Sequence, residues 1–217
     1  MARKWKLLGG PVAIVLAFAL HDSAVADPGP VDWHAAGRSH GLAVTPNLPR
    51  VPEPRAAVFG AQTLPYLQQA QTADQWCWAA DGSSIATYLH RPISQNQYCA
   101  LVHGVGAGGA CPNEEASLEQ IASAFRGIGF TAAVGAPLSM AKVVDEISAD
   151  RPILTGIAWS AGGGHAQVIY GFDVDAGTIT YGDPWPSSRR TVTQSIDSYT
   201  RNSDWTWFGE DYGIAAR

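Results

Sequence analysis

Gln71-Thr-Ala-Asp-Gln-Trp-Cys77-Trp-Ala-Ala80 sets a thiol between two tryptophans, and the residues from Gln75 to Leu89 favour a helix with Trp78, Ile85 and Leu89 near helical spacing. Asp74 is the candidate N-cap, and Gly82 weakens the interior. A thiol near a helix N-terminus gains from unsatisfied backbone N–H groups and the positive end of the macrodipole, which both favour the thiolate. Free cysteines in general are buried and inert, so a chemical role for Cys77 depends on its partners.

Two partners follow downstream. His165 comes after Gly162-Gly-Gly and opens an apolar strand, with the glycines removing Cβ bulk where the chain turns. Asp175-Ala-Gly177 is a hairpin turn between that strand and the strand from Thr178, so Asp183 returns to within a few positions of His165. Cysteine, histidine and aspartate in this order suit a nucleophile, its general base and the group that orients the base. Pro184 and Trp185 are placed to fix and shield the Asp183 carboxylate. Asp173 and Asp175 lie closer to the turn and are poorer candidates.

Gln71 sits in the loop that feeds the helix and is the candidate oxyanion donor beside the Cys77 backbone N–H, although Gln68, Gln69 and Gln75 compete with it. Losing one such donor costs about 2.7–4 kcal/mol of transition-state stabilisation. His34, His40, His90 and His103 have no chemical context and read as structural or solvated. Asp81 opposes activation. It lies one helical turn after Cys77, and a like charge at about 6 Å costs roughly 2–3 kcal/mol at an effective dielectric near 20. The sequence leaves two outcomes: Asp81 is paired elsewhere, or the thiolate is weakly activated.

The compartment is read from the first residues. Arg3, Lys4 and Lys6 precede an apolar run from Leu7 to Leu20, and Ala24-Val25-Ala26 has the form of a signal-peptidase site. The run is too short for a spanning helix and contains Gly9, Gly10 and Pro11, so residues 1–26 are expected to be a cleaved signal peptide and the product to be secreted or periplasmic, with no membrane association. Losing Arg3, Lys4, Lys6 and Asp22 takes the formal net charge from −5 to −7, which gives no electrostatic reason to bind nucleic acid.

Export permits a disulfide, and three cysteines leave one over. Cys99 and Cys111 are the expected pair, closing a glycine-rich loop for about 3 kcal/mol of stabilisation. The alternative bonds Cys77 to one of them. Gly104-Val-Gly-Ala-Gly-Gly109 matches a dinucleotide-loop pattern but lies between two cysteines instead of between a strand and a helix, so it is set aside. No metal-ligand spacing of Cys or His remains once that pair is oxidised, and no cofactor is expected.

Residues 27–60 hold six prolines and little hydrophobic periodicity, and read as a linker or a pro-segment, with the missing amphipathic pattern favouring the linker. Residues 61–217 then form one domain. Further helices are expected from Ser94, where Ser94-Gln-Asn-Gln97 has the capping-box form, to about Val102; from Glu114 to Arg126; and from Met140 to Ala149 behind Ser139. After Pro152 the chain turns to β-branched and aromatic runs: 153–159, 165–172, 178–181, 191–196 and 205–208. Helices first and strands afterwards give an α+β domain, a helical lobe packed against an antiparallel sheet lobe.

Gln71, Trp76-Cys77-Trp78-Ala-Ala80, Gly163-Gly164-His165 and Asp183-Pro-Trp-Pro186, in that order, resemble the papain-like cysteine peptidases of bacteria, of the avirulence-effector type. The resemblance runs from about Pro65 to Phe208. It implies a papain-like fold and hydrolysis of polypeptide by a monomer, with Cys77 as nucleophile, His165 as base, Asp183 as orienter and Gln71 as oxyanion donor. Asp81 departs from the pattern, which implies Ser there. Two other functions share these residues: amidase or transglutaminase-type acyl transfer on cell-wall peptide or glutamine side chains, and a papain-fold binding module whose catalysis has decayed.

Overall fold

The computed structural model describes residue 41, residues 60–106 and residues 109–217, all within one compact unit. The expected signal peptide and nearly all of the expected linker or pro-segment lie outside these residues. Four helices of useful length precede or interrupt the sheet: α1 (Cys77–Tyr88), α2 (Gln95–His103), α3 (Leu118–Gly127) and α4 (Met140–Ser148). The strands are β1 (Ala61–Thr63), β2 (Phe130–Gly135), β3 (Ile153–Trp159), β4 (Gly164–Asp173), β5 (Thr178–Gly182), β6 (Val192–Ser195) and β7 (Trp205–Ala216), with a short α5 (Ile196–Thr200) between the last two. The expected α+β class, helices against an antiparallel sheet, is the class found.

Among the described residues the sheet runs β2-β7-β3-β4-β5-β6, antiparallel throughout, with β1 added along the end of β4. Every residue of β4 from Gly164 to Phe172 is buried, because β3 and β5 flank it and helices cover it. A position on β4 is therefore fixed from both sides and shielded from water.

Helix α1 is the central pillar. Cys77 to Ala86 are all buried, which explains the small residues Ala79, Ala80, Gly82, Ser83 and Ser84. Gly82, a weakness by propensity, is required by packing: a Cβ there would lie 2.2 Å from a ring carbon of Tyr98 on α2. The ring of Tyr98 in turn packs against Trp78 and Phe125, and its hydroxyl donates to the Ile121 carbonyl, so α1, α2 and α3 share one core.

Ser94 caps α2 with the expected capping box, and Ser139 accepts the Lys142 N–H at the start of α4. Asp74 does not cap α1. That position belongs to Trp76, which makes no side-chain capping bond, because the approach loop is fixed by contacts with its surroundings instead of by its own cap. The third expected helix starts later than Glu114, at Leu118, behind a second capping box between Ser117 and Gln120.

Candidate active site

The loop that delivers Cys77 is gripped along its length. Gln71 N–H donates to the Pro184 carbonyl at 2.8 Å. Gln95, reaching in from α2, accepts from the Thr72 N–H at 3.0 Å and donates to the Ala70 carbonyl at 2.7 Å. Gln75 N–H donates to Asn113 Oδ1 at 2.8 Å. The flanking tryptophans anchor the other side, with indole N–H groups donating to the Pro112 carbonyl (Trp76, 2.9 Å) and the Glu114 carbonyl (Trp78, 3.3 Å). The Trp-Cys-Trp pattern thus pins the thiol to the segment following the disulfide.

Cys77 Sγ accepts the backbone N–H of Ala166 at 3.4 Å, which places the sulfur beside the residue that follows His165 on β4. His165 Nε2 lies 3.0 Å from Asp183 Oδ1, at the end of β5. With Asp183 ionised, Nε2 carries the hydrogen and donates it, so proton exchange with a thiol falls to Nδ1. Asp183 is itself held: Oδ1 also accepts the Trp185 N–H at 2.9 Å, and Oδ2 accepts Gln167 Nε2 at 3.0 Å. The Trp159 ring stacks on the imidazole, with centroids 6.0 Å apart and planes 24° apart. Arg190 clamps the turn after Asp183 by donating to the carbonyls of Asp183, Trp185 and Pro186.

The fold therefore gathers Cys77, His165 and Asp183 into one constellation. Gln71 is at its edge, but both protons of its side-chain amide go to backbone carbonyls, Ala73 and Asp74, each at 2.9 Å. In this state it braces the approach loop, and donation to an oxyanion would require one of those bonds to be given up. Cys99 and Cys111 are joined at 2.04 Å, which leaves Cys77 outside the disulfide. His90 is exposed, and His103 packs edge-on against Trp78. His34 and His40 lie outside the described residues.

Gln167 and Arg190 went unrecognised in the sequence. Gln167 had a usable signal, since a residue two positions after His165 on a strand shares its face. Arg190 had none, because its bonds are to carbonyls in a turn whose path only the fold defines.

Electrostatics divide the site. Burial opposes the Asp183 charge, but the His165 charge and the hydrogen bonds from His165, Trp185 and Gln167 outweigh it and hold the carboxyl below its usual range. Burial pushes the Cys77 thiol well up, the Asp81 charge adds to this, and the Ala166 and Trp78 N–H groups offset it in part. A thiolate here needs the imidazolium of His165 as its counter-ion. Asp81 is fully buried, hydrogen-bonded by Gln68 Nε2 at 2.9 Å, and pushed well above the carboxylate range by burial and by Asp183. Among the described residues Asp81 has no ion-pair partner; Gln68 is its hydrogen-bond donor, and burial favours its uncharged form.

Cys77 and His165 are both fully covered. Gly41 lies against the loop just before the thiol. It is buried at φ +94°, its carbonyl accepts the Ala116 N–H at 2.8 Å, and a Cβ on it would sit 1.8 Å from the Gln75 carbonyl oxygen. Only glycine fits there. A cavity of about 630 Å³ lies elsewhere, at the far end of α1 among Leu67, Thr87, Tyr88 and Asp150, and includes none of the three constellation residues. Among the described residues no group of side chains is arranged to hold a metal ion, and no helix is long and apolar enough to cross a membrane.

The model of a family described as papain-like cysteine protease AvrRpt2 matches residues 58–204. No curated protein sequence matches the chain. Among solved structures, the peptidase domain of Streptococcus ComA, a bifunctional ABC transporter involved in a quorum-sensing pathway, superposes with a TM-score of 0.55 at 18% identity, covering 70% of this chain and 99% of that one. Xylellain, a cysteine protease from Xylella fastidiosa, superposes with a TM-score of 0.50 at 10% identity, covering 84% of this chain and 98% of that one. At such identities these two likenesses speak for a common fold alone.

Proposed function

The chain belongs to the family of papain-like cysteine proteases, and on that premise we propose that it is a secreted endopeptidase working through Cys77, His165 and Asp183. The observation that carries this reading is the relay of contacts: Asp183 on His165 Nε2, and the sulfur of Cys77 against the residue that follows His165. In the proposed cycle Nδ1 takes the thiol proton, the thiolate attacks a peptide carbonyl, and the imidazolium returns the proton to the leaving amine. Water then attacks the acyl-enzyme with His165 again as base. Asp183 stays ionised throughout, orienting the ring and stabilising its charged form. The first-turn N–H groups of α1 are the donors nearest the developing oxyanion, with Gln71 joining them once one of its loop bonds is released.

Residues 1–26 are proposed as the signal peptide. Residues 27–60 are proposed as a pro-segment in preference to a free linker, because Gly41 is held against Gln75 and Ala116 beside a nucleophile that is fully covered.

Labelled casein tests the reading. The expected result is new amino termini from wild type and none from Cys77→Ala. Incorporation of an added amine, or cleavage confined to cell-wall stem peptides, would replace the endopeptidase with acyl transfer or amidase chemistry. Turnover undiminished in Cys77→Ala would remove Cys77 from the reaction.

A further inference from the structure

Asp81 is a buried titratable group that the proposed cycle does not use. It lies on α1 one turn beyond Cys77, on the same face, and is fully buried. Oδ1 accepts from Gln68, while Oδ2 is buried with no hydrogen-bond partner. A carboxylate in such a place would leave an acceptor unsatisfied and a charge uncompensated, whereas the protonated acid removes the charge. No cation pairs with it among the described residues.

The groups that feel its charge come from every side. They are Cys77 on its own helix, Asp183 after β5, Tyr66 before α1, Tyr98 on α2 and Tyr199 on α5. All of these groups are neutral or negative. The path to the relay is short: Gln68 Nε2 bonds Asp81, its Oε1 accepts from the Tyr66 hydroxyl at 2.8 Å, and its side chain lies against Gly182, the residue before Asp183.

We propose that Asp81 is a positioning residue that acts through Cys77: as the neutral acid it permits the thiolate–imidazolium pair, and on losing its proton it drives that pair back to thiol and imidazole. The inference rests on the proposed roles of Cys77 and His165. Its proton balance is simple. The Asp81 proton leaves to water, and the new negative charge, one helical turn from Cys77 on the same helix face, opposes the thiolate and moves the imidazolium proton back onto sulfur. No bond between heavy atoms changes. Ionisation of Asp81 therefore sets the alkaline edge of activity, while the acid edge belongs to groups that titrate lower.

The test measures kcat/KM against pH for wild type, Asp81→Asn and Asp81→Ser, with Cys77→Ala as the control for the underlying reading. Both Asp81 variants remove the charge, and the serine is the residue the family resemblance implies there. The expected result is an unchanged acid limb and an alkaline limb displaced upward, so that one pH unit beyond the wild-type midpoint the variants are about tenfold faster, as loss of a single-proton limb requires. Superimposable profiles, or a uniform drop with unmoved midpoints, would overturn the proposal while leaving the Cys77 reading intact. Activity retained in Cys77→Ala would instead defeat the reading beneath it. If neither variant folds, Gln68→Leu decides: it removes the donor that stabilises the Asp81 charge, so the alkaline limb is expected to move to higher pH, and an unmoved alkaline limb contradicts the assignment.

Discussion

Gln167 donates its side-chain amide to Asp183 Oδ2 at 3.0 Å while His165 holds Oδ1 at 3.0 Å, so two residues of one strand face grip the two oxygens of one carboxylate. Replacing Gln167 by leucine leaves a part-buried carboxylate oxygen without its donor, a loss of about 1 kcal/mol. The Asp183 carboxyl then takes up a proton at higher pH, and the protonated group no longer accepts from His165. The expected outcome is an acid limb of kcat/KM moved to higher pH and roughly a tenfold loss near that limb. A pH profile of Gln167→Leu against wild type reads both.

Gly41 is the residue where the proposed pro-segment can be tested with least disturbance. Valine at this position clashes with the Gln75 carbonyl, and its positive φ is strained for a β-branched side chain. Gly41→Val should lose its hold on Ala116 and uncover the thiol. The expected result is faster alkylation of Cys77 in the full chain and a shorter lag before casein hydrolysis. Equal alkylation rates in the two proteins would show that residue 41 guards nothing.

Stability should fall as pH rises through the neutral range. Burial pushes the carboxyls of Asp81, Glu210 and Asp211 well above their ordinary values. The unfolded chain loses these protons near pH 4 while the folded chain keeps them, so stability declines from there upward until the folded values are passed. Asp183 has the opposite sign. Its lowered value contributes stability above the ordinary carboxylate range that is lost as pH falls through the folded value. The denaturant midpoint of Cys77→Ala is therefore expected to be higher in mildly acidic than in neutral buffer, and Asp211→Asn should reduce that difference.

The Cys99–Cys111 bond closes a loop of 12 residues between α2 and the segment that receives Trp76 and Trp78. Its removal by a Cys99→Ala, Cys111→Ala double substitution is expected to cost about 3 kcal/mol. Because the same segment anchors the tryptophans beside Cys77, kcat should fall along with the denaturant midpoint. Activity and melting measured on one preparation check the two effects together.

The parts legible in the sequence were those with a local signature. The order of Cys77, His165 and Asp183, the hairpin that returns Asp183 to His165, and the Ser94 capping box each need only a few neighbouring residues to be read. Other features depend on distant parts of the chain. Strand β2 was missed because Phe130-Thr-Ala-Ala-Val-Gly135 is short and weakly patterned, and exists by pairing with β7. The expected strand 205–208 is only the start of β7, which runs on to Ala216 with Glu210 and Asp211 buried within it. The same burial was invisible for Asp81, whose charge was taken as given from its residue type. Asp74 failed as a cap because Gln95, Asn113 and Pro184, all remote in sequence, fix the loop that it was expected to close.

In the proposed mechanism His165 converts Cys77 to a thiolate at the pH where the enzyme works. The direct measurement is the rate of Cys77 alkylation by an uncharged reagent across pH, followed by intact mass, in wild type and His165→Ala after incubation has completed any removal of residues 27–60. The expected wild-type rate is already high well below the ordinary cysteine range and collapses in His165→Ala. A wild-type rate that rises only with the titration of an ordinary thiol, and that His165→Ala leaves unchanged, would contradict it.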